Sequence, residues 1–322
     1  MKAGINTRYG GPDVVEVRSA PKPEPKENEL LVKVHATTVN RTDCGMRTPY
    51  PFFIRAFIGL RSPKLNILGL DFAGEVESVG SKVSTFKPGD RVFGLSPDTC
   101  GAHAEYLCAP EDGPIASMPA GASFEEGAPI EGAWYASLIL KAFGLKPGHK
   151  ILIYGATGAI GTAAVQLAKS YGSTVTAVCA GRHVGLVESI GADRVIDYEA
   201  QDFTAIGETF DYVLDAVGKS SYFSCRRLLK PSGVFSATDL GPWGQVALLS
   251  IWSSIVRSGR VIFPLPRASK EFIEFLRARI EAGLYRAVID RRYALDEIVE
   301  AYRYVETGQK VGNVVIKVTS SD

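Results

Sequence analysis

Apolar and polar positions follow two different spacings along the chain. Up to about residue 123 the apolar runs are short and strand-like: "ELLVKVHATTVN", "AGEVESVG" and "DRVFGL". Gly, Asp and Pro interrupt them, and Pro88-Gly89 marks a turn inside "VSTFKPGDRVFG". Many short strands punctuated in this way predict a β-rich lobe, a partly open barrel or sandwich. From about Phe124 the pattern changes to strand–helix alternation. "SFEEGAPIEGAWYASLILKAFG" predicts a helix with Ser123 as its N-cap. "KILIYG", "TVTAVCA", "RVIDY", "FDYVLDAVG", "VFSATDLG" and "RVIFPLP" predict strands. "AIGTAAVQLAKSYG", "VGLVESIG" and "SYFSCRRLLKPSG" predict helices between them, the mark of a parallel sheet with right-handed crossovers. Further on, "ASKEFIEFLRARIEAG" places Phe272, Phe275, Leu276 and Ile280 on one helical face. "RRYALDEIVEAYRYVETGQ" predicts another helix and "GNVVIKV" a closing strand. The expected architecture is α/β, with a doubly wound parallel sheet over 124–263. A β-rich lobe over 1–123 is expected to be rejoined by 264–322.

Composition narrows the function. The chain has 322 residues, 46% hydrophobic and 22% charged, with a formal net charge of +1. That balance gives no electrostatic case for nucleic acid or an acidic membrane surface. No apolar run is long enough to span a bilayer, and "MKAGINTRYGGPDVVEV" carries no signal-like apolar core. A cytoplasmic protein is expected. Cys44, Cys100, Cys108, Cys179 and Cys225 are scattered and odd in number, which suits reduced, mostly buried thiols. His35, His103, His149 and His183 show no metal-ligand spacing.

The chemistry is concentrated in "ILIYGATGAIG". Gly155, Ala156, Thr157, Gly158, Ala159, Ile160 and Gly161 form a strand-to-helix turn whose backbone N–H groups can hold a pyrophosphate. Gly158 would admit the phosphates and Gly161 would let the helix pack on the strand. Ala156 stands in the place of the first glycine of G-x-G-x-x-G, and a tight structural turn in another α/β fold is the alternative. At the end of the second strand, "AVCAGRHV" offers no carboxylate for a ribose 2′-hydroxyl; it offers Arg182, beside His183. A guanidinium suits a 2′-phosphate, which favours NADPH over NADH. As the alternative, Arg182 is a solvated surface residue.

With these motifs in order, the chain resembles the zinc-free quinone oxidoreductase-like branch of the medium-chain dehydrogenase/reductase superfamily. The resemblance rests on "ATTVNRTD", "LGLDFAGEVESVG", "FKPGDRVFG", "YGATGAIGTAAVQLAKSYG", "GADRVIDY" and "LLKPSG". It implies a GroES-like catalytic domain over 1–123 and 264–322, and a Rossmann domain over 124–263. Zinc-dependent members place Cys where this chain has Asn40, and His-Glu where it has Leu70-Asp71. Only Cys100 and Cys108 lie in the region of their structural zinc lobe. Leu cannot bind a metal and Asn binds zinc poorly, so no zinc is expected.

The implied activity is hydride transfer from NADPH to a small apolar electrophile, a quinone or an α,β-unsaturated carbonyl. A zinc-independent alcohol dehydrogenase, an enoyl-thioester reductase and a non-catalytic NADPH-binding sensor are the alternatives. The catalytic candidates are Asn40, whose amide would stabilise an oxyanion or else shape its own loop, and Tyr50, whose hydroxyl nothing in the sequence places. Thr42 and Asp43 are expected to orient the Asn40 loop. By resemblance, Arg182, Tyr198 and Lys310 would hold the 2′-phosphate, with a solvated charge as the other reading of Lys310. Main chain around Thr238, Leu240 and Phe263 would meet the nicotinamide. The aromatic insertion with Tyr50, Phe52, Phe53 and Phe57 would form a lid opposite Trp243 and Trp252, a dimer contact or ordinary packing. A homodimer is expected.

Overall fold

The computed structural model describes residues 1–50, 55–241, 244–256 and 260–318. Within them the chain divides into two units: Met1–Glu131, Ala268–Gly283 and Ala287–Asp322 form one, and Gly132–Arg267 with Leu284–Arg286 the other.

In the first unit β1 (Lys2–Asn6) and β2 (Val15–Ser19) pair antiparallel. β3 (Glu29–Val39) is the organising strand: its eleven residues are mostly buried, more continuously than simple alternation predicts. α1 (Arg41–Arg47) and the one-turn α2 (Arg55–Ile58) follow, then β4 (Asp71–Val79), β5 (Arg91–Leu95), β6 (Tyr106–Pro110) and β7 (Ile115–Ser117). β4 lies along one edge of β3. The other edge is divided, with β6 pairing residues 29–33 and the chain's last strand pairing residues 36–39.

The predicted helix at 123–144 is two helices, α3 (Phe124–Gly127) and α4 (Glu131–Phe143). Ser123 caps α3 through the Glu126 N–H. Pro129 accounts for the break, because it donates no N–H and disfavours helical geometry in the residue before it.

The second unit is a parallel sheet. It contains β8 (Lys150–Tyr154), α5 (Ala159–Ser170), β9 (Thr174–Cys179), α6 (Val184–Ser189), β10 (Arg194–Asp197) and β11 (Phe210–Asp215). α7 (Tyr222–Cys225), β12 (Leu229–Ala237), α8 (Gln245–Ile255) and β13 (Val261–Ile262) complete it. Strand order is β10-β9-β8-β11-β12-β13, a Rossmann-type doubly wound sheet. The predicted helix "SYFSCRRLLKPSG" is only one turn plus a 3₁₀ turn, because β12 begins at Leu229 and runs through Pro231. α8 was not predicted.

The chain then adds α9 (Lys270–Glu281), β14 (Ile289–Ala294), α10 (Ile298–Glu306) and β15 (Asn313–Lys317) to the first unit. Arg291–Ala294, expected as helix, is strand: β14 pairs parallel with β15, and those ladder bonds override the local helical pattern. Gln166 of α5 donates to the Arg286 carbonyl and accepts from its N–H, at 3.0 and 2.9 Å, tying residues 284–286 to the Rossmann sheet.

Candidate functional site

The second unit gathers its candidates at the carboxyl ends of parallel strands, where such sheets bind ligands. Gly155 follows β8 with φ +78°, and a side chain there would strike Val217 after β11. Gly161 cannot carry a Cβ, which would collide with the Gly155 carbonyl and the Ala156 backbone. Gly158 is different: an added Cβ would find only the Gly155 oxygen, at 3.8 Å. The protein therefore does not need the missing side chain at Gly158 for its own packing. Gly158 starts α5 with no side-chain cap, so the first N–H groups of a twelve-residue helix have no capping side chain. Ala156 is fully buried, Ala159 nearly so, and Thr157 and Ile160 are half-buried. This cradle fits a dinucleotide pyrophosphate.

Arg182 lies in the turn after β9. Its Nε is 3.2 Å from His183 Nε2, and Nη1 is 3.7 Å from Glu199 Oε1. The sequence reading missed that carboxylate, which comes from the neighbouring strand's end rather than from β9. Tyr198, exposed after β10, is edge-on to Tyr154. Thr238 follows β12 and donates its N–H to the Asp215 carbonyl; Leu240 bonds Asp239 through its N–H, and Phe263 follows β13 against the core. Asp215, also unpredicted, is buried and accepts from the N–H groups of Val217, Gly218 and Ser220, shaping the loop beside Gly155.

The first unit holds a cluster of acids. The Asn40 amide donates to Thr38 Oγ1 and that hydroxyl to Asp71 Oδ1, both at 2.6 Å. Asn40 N–H donates to Asp43 Oδ2, and Gly69 N–H to Asp43 Oδ1. Asp71 Oδ2 receives the N–H groups of Ile130 and Glu131 at 3.2 and 3.3 Å, where Pro129 has broken the helix. The Thr42 hydroxyl donates to Glu131 Oε1. Asp43, Asp71 and Glu131 are all buried. Burial pushes Asp71 up to about 6, Asp43 to about 7 and Glu131 to about 8, and the neighbouring carboxylates Asp43 and Asp71 add to the Glu131 shift.

Lys310, a 2′-phosphate candidate in the sequence, belongs to the first unit, whereas Arg182 and Tyr198 belong to the second. Its ammonium donates to the Gly312 carbonyl at 2.6 Å, and burial lowers its pKa to about 8 against the pull of Glu131. His103 bonds the Thr38 carbonyl through Nε2, and burial holds its pKa near 4, so it is a neutral structural group.

Leu70 is buried, and among the described residues no group of three or more His, Cys, Asp and Glu is arranged to hold a metal. Tyr50 is 71% exposed and Trp252 is also exposed. Phe52, Phe53 and Trp243 lie outside the described residues, as does the side chain of Phe57. A surface cavity of about 610 Å³ bordered by Asp202, Glu208, Arg226 and Arg227 contains none of the candidates. The signal that could have revealed Glu131 was a lone carboxylate within the apolar run "APIEGAWYASLIL".

Residues 26–124 match the alcohol dehydrogenase GroES-like domain family, and residues 190–316 a family described as zinc-binding dehydrogenase. A 2-methylene-furan-3-one reductase of Solanum lycopersicum is 32% identical over 98% of this chain and 79% of its own length. A chloroplastic quinone-oxidoreductase homolog of Spinacia oleracea is 30% identical over 96% of this chain and 95% of its own. The solved structure of the quinone oxidoreductase from Coxiella burnetii superimposes with a TM-score of 0.88, at 30% identity and 99% coverage of both chains.

Proposed function

The chain belongs to the quinone oxidoreductase-like branch of the medium-chain dehydrogenase/reductase superfamily, and from that membership we propose that it is an NADPH-dependent reductase of quinones and α,β-unsaturated carbonyl compounds, working without a metal. The observation that carries this reading is the open space at Gly158, at the start of a helix with no side-chain cap. Gly155–Gly161 would hold the pyrophosphate, and Arg182 and Tyr198 would lie toward the 2′-phosphate. A bound reduced nicotinamide supplies a hydride to an electron-poor carbon or a quinone. The chain's own part is to hold the acceptor, exclude water and stabilise the charge that develops.

Two features favour acceptors already activated by conjugation. Leu70 offers no metal ligand, and the Asn40 amide is engaged with Thr38. Alcohols and unactivated carbonyls gain most from a Lewis acid; quinones and enones need one least. The names of the tomato and spinach relatives point to the same acceptors.

The cytoplasm is the proposed location, and no helix among the described residues is long and apolar enough to cross a membrane. A second copy is the proposed partner. Leu248, Ile251, Trp252 and Ile255 make an exposed apolar stripe on α8, continued by Val256 just after it, and α8 packs on β13, the edge of the Rossmann sheet.

Steady-state NADPH oxidation with a simple quinone, a simple enone, an aldehyde and an enoyl thioester tests the function, repeated after prolonged chelation. Turnover of the first two, unchanged by chelation, is expected. Fast NADP⁺-linked oxidation of a saturated alcohol with neither reduction would overturn it.

A further inference from the structure

Glu131 is the acid that the rest of the fold leaves incompletely satisfied. Its Oε1 takes the Thr42 hydroxyl, while Oε2 is buried with no hydrogen-bond partner. An ionised carboxylate with a bare buried oxygen is costly, and the protonated acid avoids most of that cost. Asp43 and Asp71 face the same carboxyl and oppose its ionisation, while Lys310 favours it. The Cys100 thiol also lies within the field of Glu131, and Cys44, Asp290 and Arg41 act on Lys310. Asp43 and Asp71 already accept backbone N–H groups, so neither is free to give up a proton in the same way.

Thr42 supplies a way out. It is only half-buried, so its hydroxyl links the enclosed carboxyl to more open surroundings. Along the chain, Glu131 is followed by Gly132, which lies hard against the first turn of α5: a Cβ on Gly132 would sit 2.6 Å from the Ala159 carbonyl carbon and oxygen.

We propose that Glu131, acting through the Thr42 hydroxyl, donates the proton that neutralises the anion left on the acceptor after hydride addition. This rests on the reductase reading above. NADPH supplies two electrons with the hydride and becomes NADP⁺. The acceptor gains a C–H bond, or an O–H bond in a quinone, and is left as an enolate or hydroquinone anion. The acid carries its proton on Oε1: when the Thr42 hydroxyl turns from Oε1 to the anion, its proton passes to that anion, the Glu131 Oε1 proton passes to the Thr42 oxygen, and a solvent proton restores the acid. Lys310 is a positioning residue whose charge supports the transient Glu131 carboxylate.

Glu131→Gln, Thr42→Val and Thr42→Ser separate these roles. With an enone, Glu131→Gln and Thr42→Val should lower kcat about 100-fold, within the range for a lost general acid, while Thr42→Ser stays close to wild type. The loss should be smaller with a quinone, because a hydroquinone anion is the weaker base. NADPH affinity should not change, and the fall of wild-type kcat near pH 8 should vanish in Glu131→Gln. Infrared difference spectroscopy gives a readout without turnover: at pH 7 the protonated-carboxyl signal of the wild type should exceed that of Glu131→Gln, in which Asp43 still contributes, and the excess should be lost by pH 9. An unchanged kcat and pH profile in Glu131→Gln, or a protonated-carboxyl signal at pH 7 that the substitution does not diminish, would overturn the donor role alone. NADPH binding by a wild type that reduces no acceptor, whatever the infrared signal shows, would overturn the reductase reading and the donor role with it.

Discussion

The turn after β8 and the acid cluster around Glu131 are built in opposite ways. The turn is seven consecutive residues whose function follows from side chains that are absent. The cluster comes from four separate stretches: Thr38–Asp43, Gly69–Asp71, Ile130–Glu131 and Lys310. In the turn, Gly155, Ala156 and Gly158 give their N–H groups to the protein's own carbonyls, while the first N–H groups of α5 have no capping side chain and are the ones proposed for a ligand. In the cluster, backbone N–H groups are spent on the protein's own carboxylates, and only one carboxyl oxygen is left over. A binding site can thus be local and stable without its ligand. A buried proton-holding site has to be enclosed from several sides, because enclosure is what shifts its pKa.

Substitution inside the turn breaks this comparison most sharply. Gly158→Val adds atoms to space the protein leaves open, so the fold should survive while NADPH binding weakens at least about 100-fold, or about 2.7 kcal/mol. Gly161→Val drives a side chain into the Gly155 carbonyl and the Ala156 backbone, so it should lower stability by about 1–3 kcal/mol or more. Calorimetric titration and urea unfolding of both variants check the split. Normal NADPH affinity in a folded Gly158→Val would mean the turn is structural only.

The cluster is tested through its protons. Between its ordinary value of 4.5 and about 8, folded Glu131 holds a proton that the unfolded chain has released. The folded state therefore binds more protons, and this group's contribution to stability falls as pH rises through that window, by at most about 1.4 kcal/mol per pH unit. Gln does not titrate. The stability of Glu131→Gln relative to wild type should climb from pH 4.5 to about 8 and then level off. Lys310, lowered from 10.5 to about 8, has the opposite slope: between those values the folded lysine has already lost its proton, so stability recovers as pH rises. Urea unfolding across pH 5–10 reads both. A difference between Glu131→Gln and wild type that stays flat with pH would mean the carboxyl is ionised throughout.

This contrast explains what the sequence could disclose. The six strands of the parallel sheet, the glycine turn and the first lobe are written in short runs with local causes, such as apolar runs ended by glycine or turns at Pro-Gly; the order of the strands is not. Glu131 is marked only as a lone carboxylate in an apolar run, and the task of neither Glu131 nor Asp71 is written locally, because their side-chain hydrogen-bond partners come from distant stretches of the chain. Lys310 reads from the sequence as a 2′-phosphate ligand or a solvated charge; its burial depends on the unit's return at Ala287–Asp322. β14 read as helix because its partner β15 lies some twenty residues further on. Pro129 was visible, but its consequence was not: the break it forces in the helix releases two N–H groups, and Asp71 takes them.

The smallest expected effect concerns the edge of the turn's own site, where the local reading was incomplete. Arg182 was expected to face a 2′-phosphate free of any nearby carboxylate, yet Glu199 stands 3.7 Å from its guanidinium, with both side chains more than half exposed. An exposed pair at that distance is weak and screened by salt, so Arg182 can turn toward a phosphate at little cost, but Glu199 still repels one. Arg182→Ala should therefore weaken NADPH by only about fivefold, the upper end for an exposed ionic contact, and leave NADH unchanged. Glu199→Gln should act in the opposite sense, tightening NADPH by a smaller factor, and 0.5 M salt should shrink both effects. Fluorescence titration of the two cofactors against both variants measures all four values. Equal losses of NADPH and NADH in Arg182→Ala would remove Arg182 as the discriminator and leave Tyr198 as the remaining candidate on that side of the sheet.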